Sequence, residues 1–196
     1  MSSTTELKLT TIELAGKAIL DIAGRILPAI PSMACVEPCY PSTAVILDVP
    51  GRCQVSTYTC GITSTWSIIS ALGCGIPLKE WFHRCHKAGC HPDVGMDIDQ
   101  IRKALKHLKL RVLAKKYKGR DQIRKYIDSS QPLLFGQGAE MFDDSDHWMY
   151  VYGYSGRHVY VGNVVNPMFP VSSKEAWSWA RFESELSPPE LYVINT

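Results

Sequence analysis

Two strand-like runs, residues 148–154 and His158–Gly162, are separated by only Ser155-Gly156-Arg157, and a connection that short joins neighbouring strands as an antiparallel hairpin. Further strand patterns fall at 45–49, closed by Pro50-Gly51, and at 111–114, 132–135 and 190–194. Apolar residues recur at helical spacing before the hairpin. Ile62, Trp66, Ile68, Ile69 and Leu72 predict a helix over 61–72 that Gly73 and Gly75 stop, and Asp97 stands as the N-cap of a helix over 97–108. Residues 122–127 give another helix, 78–82 begin a short one, and 83–93 read as irregular. Helices come first and a mainly antiparallel sheet follows, which is an α+β order.

The first 44 residues differ from the rest. An amphipathic helix is predicted over 11–27, with Glu13, Lys17, Asp21 and Arg25 in one charged row and Ile12, Ile19, Leu20, Ile22, Ala23 and Ile26 on the apolar face. Pro28 ends it, and Pro31, Pro38 and Pro41 make the following stretch extended. The expected division is a segment 1–44 and a domain 45–196. Three uses of the helix stand open: packing on the domain, docking a partner protein, or covering a cleft as a pro-segment.

Composition narrows the partners. With 21 Lys and Arg against 19 Asp and Glu, the net charge of +2 does not predict nucleic-acid binding, and the basic stretch 103–125 reads as a solvated helix face. The apolar stretch 12–30 carries four charges and a proline, so no membrane span is predicted, and nothing there has the form of a secretory signal. The expected compartment is the cytoplasm.

Seven cysteines, an odd number in a chain long enough to need no staples, argue against a full disulfide framework. Cys60 falls at the predicted start of the 61–72 helix, where free backbone N–H groups and the helix dipole favour a thiolate. Gln54, six residues upstream, can place an amide donor beside the Cys60 N–H to form an oxyanion hole. His147 opens the hairpin behind Asp143, Asp144 and Asp146 and supplies a general base. A turn centred on Ser155 sets Asn163 opposite His147, where it can orient the imidazole; Asn166 lies farther along and reads, with Pro167, as a turn.

Gln54, Cys60-Gly61, His147-Trp148 running into Val151-Tyr152-Gly153-Tyr154, and Asn163 sixteen residues after the histidine resemble the papain-like cysteine peptidases, and most closely the bacteriocin-processing (double-glycine) group with its stand-alone relatives. The likeness takes in Gly95-Met96-Asp97 and the helix after it and covers roughly residues 45–195. It implies a papain-like fold, with Gln54 as oxyanion donor, Cys60 as nucleophile, His147 as general base and acid, and Asn163 as orienter where that group more often has aspartate. Gly61-Ile62-Thr63 replaces the Pro-Ala usual after the nucleophile.

The implied activity is hydrolysis of a peptide or amide bond through a Cys60 thioester. Two alternatives stay open: an acyltransferase or cyclase acting on a carrier-bound acyl or peptidyl substrate, and a non-catalytic binding module on a peptidase scaffold. No cofactor and no metal are expected. Cys85, Cys90, His86 and His91 are weak zinc candidates, because no second Cys/His pair follows at a finger-like distance. Trp148, Tyr150, Tyr152 and Tyr154 are expected to share one strand face in sheet packing.

Overall fold

The structure is a computed structural model that describes residues 38–54, 56, 58–92, 94–137, 147–162, 174–186 and 188–195. The predicted 11–27 helix, the loop with Asp143, Asp144 and Asp146, Asn163 and Asn166-Pro167 lie outside these residues.

The described chain runs β1 (Val45–Ile46), α1 (Cys60–Ala71), α2 (Leu78–Ala88), α3 (Ile98–Lys106), β2 (Arg111–Lys116), α4 (Arg120–Asp128), β3 (Leu133–Gln137), β4 (His147–Tyr154), β5 (His158–Gly162), β6 (Lys174–Ser178), α5 (Trp179–Glu185) and β7 (Glu190–Asn195). One antiparallel sheet takes the strands in the order β2-β7-β3-β4-β5-β6, with β1 also paired to β4. This is the α+β architecture expected.

Strand alternation gives the sheet two apolar faces. Trp148, Tyr150 and Tyr152 of β4 join a core with Ile62, Ile68 and Ile69 of α1, Trp81 of α2, and Ile101 and Leu105 of α3. Met149 and Val151 join a second core with Ile123 and Ile127 of α4 and Trp179 and Phe182 of α5. Fully burying an aliphatic side chain such as Ile101 or Leu105 contributes roughly 1.5–3 kcal/mol. The helix that carries the candidate nucleophile is therefore fixed against the strand that carries the candidate base.

Each helix has local reasons to stop or start. Gly73, at φ +81°, follows α1, and Gly89, at φ +115°, ends α2, both in the left-handed region that suits glycine. Asp97 caps α3 through a reciprocal pair, Gln100 N–H donating to Asp97 Oδ1 at 2.8 Å and Asp97 N–H to Gln100 Oε1 at 2.9 Å.

Four expectations need correction. Residues 83–88 are helical rather than irregular, because Trp81, Phe82, Cys85 and Ala88 make one buried stripe while His83 and Lys87 face solvent. The basic stretch 103–125 is exposed in large part, but it covers the end of α3, the edge strand β2 and the start of α4 rather than one helix face. The hairpin turn sits over Gly156-Arg157, with Ser155 N–H donating to His158 C=O at 2.7 Å, and together with a bulge beyond it this sets Tyr150 opposite Gly162 instead of Tyr160. Finally, a bulge between Val151 and Gly153 turns Tyr154 to the second core, away from the face of Trp148, Tyr150 and Tyr152. β6 and α5 were not predicted; their buried Trp177, Trp179 and Phe182 are scattered among charged residues.

Candidate active site

Helix α1 opens at Cys60 with no acidic residue in its first turn and no side-chain cap. The hydroxyl of Thr59, which stands at the cap position, is engaged with the loop instead: it donates to Ser56 C=O at 3.0 Å and accepts from Ser56 N–H at 3.2 Å. Cys60 therefore stands at the uncapped N-terminal end of α1, and the backbone groups of Trp148, Gly61 and Cys60 itself favour its thiolate. The positive end of a helix thus meets one thiol.

Close packing makes that meeting possible. A Cβ on Gly61 would stand 3.0 Å from Trp148 Cδ1 and 3.2 Å from Met96 Cβ, so glycine lets β4 and the segment before α3 approach the start of α1. Trp148 Nε1 donates to Met96 C=O at 2.6 Å, and Ser64 Oγ donates to Trp148 C=O at 2.9 Å. Trp148 is held at its ring and its carbonyl beside the start of α1. His147, half-buried and first in β4, is therefore one residue from the tryptophan that packs on Gly61 beside Cys60.

Gln54 is 5% exposed on the loop before α1, and its Oε1 has no hydrogen-bond partner among the described residues. The structure brings Cys60 and the His147-Trp148 start of β4 together, and Asn163 lies outside the described residues. The β4–β5 ladder ends at Tyr150 and Gly162, two residues out of the register on which the pairing of His147 with Asn163 was expected. Across β3, the residue opposite His147 is Gln137, buried, whose Nε2 donates to Glu185 Oε2 at 2.8 Å.

Sequence inspection singles out neither Ser64 nor Gln137, and it marks Met96 only within the Gly95-Met96-Asp97 likeness. For Ser64 a signal existed: hydroxyl residues recur through a helix that is otherwise largely apolar, and of these Ser64 and Thr65 are buried and bonded to backbone carbonyls. Met96 acts through its carbonyl, which no residue type announces.

The electrostatics depart from the expectation of a lowered thiol pKa. At 6% exposure, burial raises the Cys60 pKa above the ordinary thiol value, and the N–H groups of Trp148, Gly61 and Cys60 only partly oppose it. Cys90 is pushed up to about 12 by burial, with neighbouring Cys60 adding to the rise, and burial drives Cys85 well above the usual range. The six described cysteines are free thiols. Of the weak zinc candidates, Cys85 and Cys90 are buried, His91 is exposed, and His86 sets Nδ1 3.3 Å from Cys90 C=O; among the described residues no group of three or more His, Cys, Asp and Glu side chains is arranged to hold a metal.

These raised values make a stability statement. A thiol that is harder to ionise in the folded protein contributes stability in full below its unfolded pKa, near 8.5, and that contribution is lost as pH rises toward the folded value. The melting temperature under reducing conditions is expected to fall steadily above pH 8.5, and less steeply in Cys90→Ala. A melting temperature flat to pH 10 contradicts this.

A family model described as the Peptidase_C39 like family matches residues 46–185, and the chain belongs to that family. The fold agrees with solved peptidase domains. A double glycine motif protease from an AMS/PCAT transporter, in complex with its leader peptide, is 15% identical with a TM-score of 0.55, over 76% of this chain and 92% of that one. The peptidase domain of Streptococcus ComA, a bi-functional ABC transporter of a quorum sensing pathway, is 19% identical with a TM-score of 0.55, over 74% of this chain and 94% of that one. A protein described as a C39-like peptidase from Bacillus anthracis is 14% identical with a TM-score of 0.56, over 78% and 98% of the two chains. No curated protein matches the chain. Family and fold together support cysteine peptidase activity in general, and no described helix is long and apolar enough to cross a membrane.

Proposed function

We propose that the protein is a cysteine hydrolase that cleaves a peptide or amide bond, with residues 45–196 as its catalytic domain. The observation that carries this is the packing of the start of α1, where Cys60 stands, directly against Trp148 of β4, one residue from His147. Cys60 attacks the substrate carbonyl carbon as its proton passes to His147, which suits a thiol that burial keeps protonated at rest. The oxyanion forms between the Cys60 N–H and the Gln54 side-chain amide. His147 then protonates the leaving amine, and water hydrolyses the Cys60 thioester with His147 as base. Asn163 orients the imidazole. Six free thiols among the described residues accord with a reducing compartment such as the cytoplasm.

Site-resolved alkylation with a small electrophile between pH 5 and 8 tests the pair. Cys60 is expected to label faster than the other described thiols, and labelling at pH 6 to fall at least tenfold in His147→Ala. A Cys60 rate that climbs tenfold per pH unit and ignores His147→Ala is that of an ordinary buried thiol and overturns the proposal.

A further inference from the structure

On the helix-covered face of the sheet that holds α3, Arg102, Lys106, Lys109, Leu110, Arg111 and Val112 line a groove of about 560 Å³. It lies at the end of the sheet opposite His147: Arg111 pairs with Asn195, whereas His147 pairs with Gln137, and the strand rise separates the two rows by roughly 20 Å. The groove is thus remote from the candidate active site.

Its charge is almost uncompensated. Arg102 pairs with Asp99 at 2.7 Å, but Lys106, Lys109 and Arg111 have no ion-pair partner among the described residues. The floor is apolar, made by Leu110 and Val112. β2, which forms one wall, is the end strand of the sheet and pairs only with β7 among the described residues, so its outer row of backbone groups stands outside the ladder. Arg111, Leu113, Lys115 and Lys116 are exposed along it.

Lysines on an edge strand also serve to discourage aggregation. Lys109 is outside that explanation. It lies before the strand with φ +58°, in the left-handed region where glycine costs less and a lysine costs stability. A lysine stands there at a backbone cost.

We infer that this groove and the outer edge of β2 form a docking surface for an extended acidic peptide segment of a polypeptide partner. The peptide backbone pairs with the strand edge, its carboxylates meet Lys106, Lys109 and Arg111, and its small apolar groups cover Leu110 and Val112. Peptide is favoured over single-stranded nucleic acid because the groove lining offers no aromatic ring on which bases stack. Binding here does not depend on Cys60 being a nucleophile.

The test is fluorescence anisotropy of the full chain with a labelled octapeptide of alternating Glu and Thr, beside an oligothymidylate of equal charge. Peptide affinity is expected to fall as salt is raised, and to drop at least tenfold in Lys106→Glu/Lys109→Glu but less than twofold in Lys87→Glu/Lys125→Glu, which reverses two exposed lysines elsewhere. Lys109→Gly is expected to melt a few degrees higher and yet bind at least threefold more weakly. Ser130→Gly, which relieves the same φ of +58° away from the groove, should raise the melting temperature and leave binding unchanged. No peptide binding, equal losses in both charge-reversal variants, unchanged affinity in Lys109→Gly, or tighter binding of the oligonucleotide each overturns the inference.

Discussion

Gln54→Ala is expected to lower peptide turnover about 100- to 1000-fold while leaving the rate of Cys60 alkylation within about twofold, whereas Cys60→Ala abolishes both. The separation follows from where charge develops. Alkylation needs only the sulfur and its proton acceptor, and no oxyanion forms. Acyl transfer places a negative oxygen in front of the Cys60 N–H, and a second donor aimed there is worth several kcal/mol in a site from which water is largely excluded. Gln54 is buried and its Oε1 has no described partner, so removing the side chain gives up no hydrogen bond of that atom. The melting temperature should therefore change little. If Gln54→Ala lowers alkylation and turnover equally, the residue shapes the loop before α1 and is not an oxyanion donor. Gln54→Glu sharpens the comparison, because it keeps the shape of the side chain and sets a carboxylate against the developing charge; it should be at least as impaired as the alanine variant.

The start of α1 was legible because two independent signals coincided there: the apolar period of Ile62, Trp66, Ile69 begins just after Cys60, and Gly73 closes it. Asp97 was legible for a similar reason, since an acidic cap with Gln100 three residues on is a local motif that needs no tertiary information. The hairpin was legible in its existence but not in its register. Its turn sits over Gly156-Arg157 instead of on Ser155 and a bulge enters between Val151 and Gly153, and both are settled by packing rather than by residue type. That is why the side to which Tyr154 turns could not be read from alternation. The stripe of α2 was hidden by the histidines and cysteines that share its residues, whose chemistry suggested a loop. The clamp on Trp148, made by a serine hydroxyl from α1 and a methionine carbonyl, joins residues far apart in sequence and has no local signature.

The register of that hairpin rests on Gly162, and Gly162→Ala is expected to destabilise the protein by about 3 kcal/mol, a fall in melting temperature of roughly 6–12 °C. A Cβ at this position would collide with Cζ and both Cε atoms of Tyr150. Tyr150 is the cross-strand partner of Gly162, it is fully buried, and its hydroxyl donates to Pro50 C=O at 3.4 Å. The ring lies flat across the glycine, and the neighbouring Tyr152 ring, 6.1 Å away between centroids, limits its retreat. An alanine must therefore displace an aromatic side chain from a packed core or part β5 from β4, and overpacking of this kind is costly because interiors hold few voids. The cause can be isolated by a double-mutant cycle. Tyr150→Leu alone leaves a cavity and is destabilising, but it also removes the atoms that the new methyl group meets. The variant carrying both changes should then be more stable than the sum of the two losses allows, by at least 1 kcal/mol or so. Strict additivity would place the cost in the backbone of β5 and not in the ring. Because Asn163 follows Gly162 directly in the chain, Gly162→Ala should also impair turnover in the fraction that remains folded at low temperature, whereas Tyr150→Phe, which keeps the ring on the glycine, should retain most of it.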